Sequence, residues 1–151
     1  MTIHITLQVL CMVSMGIMGG IYLIFTNTII SALKEVENGA LIMAKINDVI
    51  LNWSFKLIFF FSALSSAYFG IFANNVEFSF QLGCVVFFAG TFLITVFKNI
   101  PLNNKLKQAA YMQSNVNETW ALYLILWQRW NTIRTFSALL SLILVCSSNY
   151  T

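Results

Sequence analysis

Four long apolar runs constrain this chain more than any other feature. A helix needs about 20 predominantly apolar residues to cross a bilayer, and the stretches at about 5–32, 56–73, 78–97 and 120–147 meet or approach that length. Of the 151 residues, 59% are hydrophobic and 9% charged. A soluble domain of this size could not hide that much apolar surface in one core. Transmembrane barrels show alternating segments of about ten residues instead. The expectation is an all-α integral membrane four-helix bundle forming one domain over residues 1–151, with an amphipathic cytoplasmic segment after the first span.

The basic residues suggest an orientation. With the N-terminus outside, Lys34, Lys45 and Lys56 share the cytoplasmic side with Lys98, Lys105 and Lys107, while His4, Glu77 and the tail 147–151 lie opposite. Positive residues favour the cytoplasmic side, so a multi-pass protein of the plasma (inner) membrane with both termini outside is expected. The first apolar run has no basic leader or small-residue cleavage pattern and reads as a retained span. A net charge of +3, dispersed over two loops, argues against a nucleic-acid partner. The expected partners are the lipid bilayer and a lipophilic small molecule, with a second copy of the chain as a further candidate.

Several chemistries lack their residues. His4 is the only histidine, which excludes a bis-histidine haem or a two-histidine iron site within one chain. Glu35, Glu37 and Asp48 read as solvated loop residues rather than a metal site, so no metal or other cofactor is assigned. Cys11, Cys84 and Cys146 sit singly in apolar segments with no C-x-x-C pair, as small buried residues do. No phosphate-binding or dinucleotide-binding glycine motif occurs.

The fourth run is the most informative. Trp120, Tyr123, Trp127, Asn131 and Arg134 fall on one helical stripe, placing a guanidinium at membrane depth. A charge there costs roughly 2.5–3.5 kcal/mol on insertion scales, so such residues face the bundle interior and find partners. Asp48, Glu35 and loop carbonyls are the candidate partners. Pro101 is expected to end the third helix, with Asn99 capping it and Asn103 or Asn104 capping the next. The alternative is that these amides meet a ligand or Arg134. Asn27, near the end of the first span, can point into the bundle. Gly16 and Gly20 carry a small-xxx-small spacing that suits close packing inside the bundle or, less favoured, a dimer seam. Leu41, Ile42, Ile46, Val49, Ile50 and Trp53 follow helical spacing and form the apolar face of an amphipathic helix.

The run Asn99-Ile-Pro101-Leu-Asn103-Asn-Lys-Leu106, followed by Trp120 and Trp127-x-x-Trp130-Asn131-x-x-Arg134, resembles the anthrone oxygenase-like membrane family. Phe25-Thr-Asn27 and Met43-Ala-Lys-Ile-Asn47 are similar to its pattern as well, and the likeness covers nearly the whole chain. The chain departs from it at Ile30-Ser31 and Asn52-Trp53, where the family carries Met-Pro and Asn-Pro pairs. The resemblance implies a small four-helix membrane protein and, from characterised fungal members, oxidation of an anthrone to an anthraquinone by dioxygen.

Such chemistry requires a site that binds a flat aromatic, removes a proton and holds an oxyanion. Asn131 and Arg134 are the candidate catalytic anchors. Trp120, Tyr123, Trp127, Asn99, Asn103, Asn27 and Asn47 are the candidate substrate contacts, and Glu35, Asp48 or Tyr123 the candidate base. The competing expectation is a non-catalytic membrane subunit, or a lipophilic-ligand binder, in which Arg134 is a structural staple.

Overall fold

A computed structural model describes residues 2–74 and 76–148. Residues 149–151 of the tail expected on the outer side lie outside the described residues. The helices are α1 (Ile3–Lys34), α2 (Gly39–Ile50), α3 (Trp53–Phe72), α4 (Phe78–Met112) and α5 (Val116–Ser147), and no strand occurs among the described residues. All but α2 are long and apolar enough to cross a membrane. The chain is thus a multi-pass, all-α membrane bundle. Large exposed side chains such as Val13, Leu64, Phe72, Ile125 and Ile143 cover the spans, as an apolar solvent permits.

Local chemistry sets the breaks. Asn52 caps α3, its Oδ1 accepting from the Phe55 amide at 3.0 Å. Gly39 opens α2 where a β-carbon would run into the Leu33 carbonyl oxygen and the Trp120 ring, so only glycine fits. Between α4 and α5 the chain reverses through Gln113 and Asn115, both in the left-handed region at φ 51° and 52°.

Two expectations are corrected here. Pro101 does not end the third helix, which runs on to Met112. Widened π-type turns at Phe88–Leu93 and Thr95–Asn99 precede it, with the Ile100 amide bonding five residues back to the Thr95 carbonyl. A regular turn would press the proline ring on the carbonyl four residues earlier, and the widened turn relieves that clash. Along α2, Ala40, Met43, Ala44 and Asn47 are buried, Ile46 and Ile50 pack on the core, and Leu41, Ile42 and Val49 are exposed. The small side chains of Ala40 and Ala44 bring α2 close to its neighbours. Secondly, Gly20 is exposed, with nothing within 4 Å of where a β-carbon would stand. Gly19 makes the close approach instead, a β-carbon there lying 3.3 Å from Ala138.

The bundle has two apolar layers. Cys11, Met15, Met18, Phe59, Phe69, Phe80, Cys84, Phe87, Ala138 and Val145 form the membrane layer. Phe25, Ile30, Leu33, Met43, Leu106, Tyr123 and Trp127 form a second, built where α2 and the extended ends of α4 and α5 cover the connection side. Thr26, Thr95, Asn131, Arg134 and Thr135 are joined by hydrogen bonds at the junction of the two.

Candidate functional site

The polar junction is anchored by α5. Asn131 donates through Nδ2 to the Tyr22 carbonyl at 3.0 Å and to Thr26 Oγ1 at 2.6 Å. Its Oδ1 accepts from Arg134 Nη2, one helical turn along. Arg134 Nη1 donates to Thr95 Oγ1 at 2.9 Å, and the guanidinium lies 4.4 Å from the Tyr22 ring centre and 5.6 Å from that of Trp127. Thr135 and Thr26 share a hydrogen bond at 3.0 Å. The α1 and α4 turns facing this network, Phe25–Ile29 and Thr95–Asn99, are both widened. Turns of that type often mark functional sites.

Arg134 is 6% exposed, and its partners differ from those expected. No carboxylate reaches it among the described residues. Glu35 is exposed, and Asp48 is engaged by Lys107 Nζ at 2.6 Å and by Tyr111 Oη at 2.9 Å. The loop carbonyls do not serve either; hydroxyl, amide and aromatic faces hold the charge.

A cavity of about 330 Å³ adjoins this network, near the low end of the range that holds small molecules, about 300–1,000 Å³. Its wall is largely aromatic and aliphatic, with Ile21, Tyr22, Phe25, Phe55, Phe59 and Trp127. Arg134, Thr95 and Asn99 line it, and Asn47, Asp48, Asn103, Asn104, Lys56 and Lys107 complete its border. Three buried polar atoms of its lining residues have no hydrogen-bond partner: Asn99 Oδ1, Trp127 Nε1 and Arg134 Nε. Native structures satisfy nearly all such atoms, and a cluster of exceptions beside a cavity points to a ligand or water there.

The structure thus brings Asn131, Arg134, Trp127, Asn99, Asn103 and Asn47 to the cavity or the network beside it. Asn99 does not cap a helix end; its Nδ2 donates to the Trp127 carbonyl at 3.5 Å. Tyr123 and Trp120 lie behind Trp127 as a stack, with ring centres 5.5 and 5.6 Å apart and planes within 20° of parallel. Tyr123 Oη donates to Asn103 Oδ1 at 2.9 Å and accepts from Asn47 Nδ2 at 3.4 Å. These two rings fix the Trp127 face rather than lining the cavity. Asn27 is exposed and outside the cavity; the widened turn directs its neighbour Thr26 inward instead. Tyr22, Thr26 and Thr95 were not singled out from the sequence. The signal was present as polar pairs four residues apart, Tyr22/Thr26 and Thr91/Thr95, each on one face of an apolar helix.

The carboxylate at the cavity border is an ion pair across α2 and α4. Hydrogen bonds from Lys107 and then Tyr111 hold Asp48 below the ordinary carboxylate value of 3.8. A depressed pKa contributes stability above the unfolded value, and that contribution is lost as pH falls through the lower folded one. Docking of α2 is therefore expected to hold at pH 5 and loosen below about pH 3.8. Asp48→Asn should loosen it at every pH, read as faster proteolysis between residues 35 and 52. Equal cleavage of both proteins at neutral pH would contradict this.

A family model for anthrone oxygenase matches residues 40–144. The chain belongs to the anthrone oxygenase family. No curated protein and no solved structure matches it. The family match spans α2 to α5 and so includes all the α5 and α4 residues of the site. Among the described residues no group of three or more His, Cys, Asp or Glu side chains is placed to hold a metal ion.

Proposed function

We propose that this protein is a membrane-embedded oxygenase that converts a lipophilic, planar anthrone-like ketone to its quinone with dioxygen. One observation supports this reading above the family membership itself: an aromatic-walled cavity between the long apolar helices that ends on Arg134 and its Asn131 support. In the overall reaction the ring methylene loses two hydrogens. One oxygen atom of O₂ becomes the new carbonyl and the other leaves as water.

The residues divide that chemistry. Trp127, Phe25 and Phe59 hold the flat ring system by stacking and apolar burial. Arg134 faces the ketone oxygen and stabilises the negative charge that forms there when the methylene proton leaves, while Asn131 fixes the guanidinium. Asp48, the one carboxylate bordering the cavity, is the base that receives the proton at the connection side. The electron-rich ring carbon then attacks O₂, and loss of water from the resulting hydroperoxide yields the quinone.

Protein purified in a mild uncharged detergent is expected to accelerate anthrone oxidation over the uncatalysed rate. One O₂ should be consumed per quinone formed, measured by an oxygen electrode and quinone absorbance. An unaccelerated reaction would refute the assignment. The second reading, a non-catalytic subunit or binder stapled by Arg134, draws support from the two internal hydrogen bonds that hold its guanidinium. It predicts no acceleration and a loss of assembly when Arg134 is changed. As for placement, we assign both termini to the outer side of the plasma membrane on the lysine distribution, testable by reporter fusions at each end.

A further inference from the structure

Among the described residues, Arg134 is a buried cation without an anion. Its hydrogen-bond partners are the neutral Thr95 and Asn131, rings cover it, and its Nε has no partner. The whole cavity shares this imbalance. Three cations line it, Lys56, Lys107 and Arg134, against the single carboxylate of Asp48. Lys107 and Asp48 compensate each other at 2.6 Å, which leaves one uncompensated charge at the border and one at the inner end. Between them the wall is apolar.

Moving a charge from water to such surroundings is costly unless an opposite charge meets it. A neutral ligand would cover Arg134 and raise that cost. An anionic one would remove it. We propose that the cavity binds its ligand in the resting complex as a lipophilic oxyanion, with a flat apolar body along Phe25, Phe55, Phe59 and Trp127 and a phenolate, enolate or carboxylate oxygen at Arg134. This rests on the reading that the cavity takes a planar aromatic and adds the charge state in which it is held. Negative charge on the ligand is then recognised at binding, before any reaction with oxygen. A weakly acidic ligand is also made more acidic by docking, so its proton departs on entry toward the border.

Four titratable side chains face Arg134 or the ligand space from the surrounding helices: Tyr22 on α1, Asp48 on α2, Lys56 on α3 and Lys107 on α4. Only Lys56 among them adds to the pull on an anion without a partner of its own in the cavity border. It lies at the mouth, where it draws the anion from the membrane surface, whereas Arg134 sets the bound state.

The test uses the intact protein in uncharged detergent micelles and two probes of nearly equal shape, 2-naphthoate and 2-naphthamide, followed by quenching of tryptophan emission against empty micelles. The naphthoate is expected to bind at least about tenfold more tightly at neutral pH. Arg134→Gln, which removes the charge but retains hydrogen-bonding atoms, should erase that preference while naphthamide binding persists. Lys56→Ala should keep most of it. Should the Gln variant fail to fold, Arg134→Lys serves instead and is expected to retain the preference. Equal binding of both probes would overturn the proposal and leave the aromatic site intact. A preference that survives Arg134→Gln would also overturn it. Binding of neither probe, together with no anthrone turnover, would remove the functional reading as well.

Discussion

Arg134→Met is expected to reduce turnover by about 10²–10³-fold while leaving the protein as stable as the parent, or more so. The loss follows from the position of the guanidinium, which is the only buried cation among the described residues lining the cavity. Removing one preorganised donor to a developing oxyanion costs rate on that scale. The stability forecast runs the other way for a physical reason. A buried charge with only neutral partners is a standing desolvation cost, and replacing buried ionic groups with apolar ones of similar volume is often neutral or stabilising. Methionine has the length and flexibility to fill the space between Tyr22 and Trp127. Thr95 can turn its hydroxyl to the Thr91 carbonyl, which already accepts from it at 2.7 Å. Asn131 keeps its two donor bonds to α1 and loses only the one its Oδ1 accepts from Arg134, a smaller cost than that of a buried guanidinium.

The two readings of Arg134 separate at this point. A structural staple, when removed, lowers the melting temperature or prevents assembly. A charge kept for a ligand, when removed, costs activity alone. Detergent-extracted yield and thermal unfolding, set beside quinone formation, give the answer in one variant. A destabilised Arg134→Met protein would favour the staple, and an active one would defeat both readings.

What the sequence made legible follows from the physics of each signal. Arg134 and Asn131 stood out because a charge and an amide inside an apolar run are costly, so their inward orientation could be inferred from one helix alone. Tyr22, Thr26 and Thr95 did not, since hydroxyls are cheap to bury in a helix and can bond their own backbone. Their role appears only when α1, α4 and α5 are brought into register. Pro101 misled because its usual effect assumes a regular turn before it, and two widened turns supplied the missing room. On α2 the large aliphatics marked an apolar face, whereas the burial of Ala40, Met43 and Ala44 depends on how its neighbours pack. Gly20 and Gly19 differ by one residue, which is 100° around a helix, and spacing cannot resolve which of the two meets α5. The carboxylate nearest the cavity was foreseen as a candidate base, whereas its engagement by Lys107 and Tyr111 depended on how far α4 extends.

Gly83→Leu is expected to do what Arg134→Met does not, and unfold the bundle. The helices α4 and α5 pack extensively on each other, and Gly83 sits directly against the α5 backbone. A β-carbon there would lie 2.7 Å from Val145 Cγ1, 2.9 Å from the Ser141 carbonyl oxygen and 3.1 Å from Leu144 Cβ. The carbonyl cannot rotate away, because it belongs to the α5 backbone, so the helices must separate. Separation also breaks the hydrogen bond from Ser141 Oγ to the Gly83 carbonyl, now 2.6 Å. Overpacking of this kind costs typically 1–3 kcal/mol and more where backbone must move, and a leucine adds three carbons beyond the one that already clashes. In the bilayer no hydrophobic force draws the helices back together, since close packing is what holds them. Gly20→Ala is the matched control, because open space surrounds that position and alanine favours the helix by roughly 0.5–1 kcal/mol. Unfolding in mixed detergent should therefore move to lower denaturant for Gly83→Leu and stay, or rise slightly, for Gly20→Ala. The milder Gly83→Ala carries the argument to the site. Pushing α4 from α5 draws Thr95 off Arg134, so turnover should fall along with stability, and a stable, fully active Gly83→Leu protein would show that this helix pair is not the frame of the cavity.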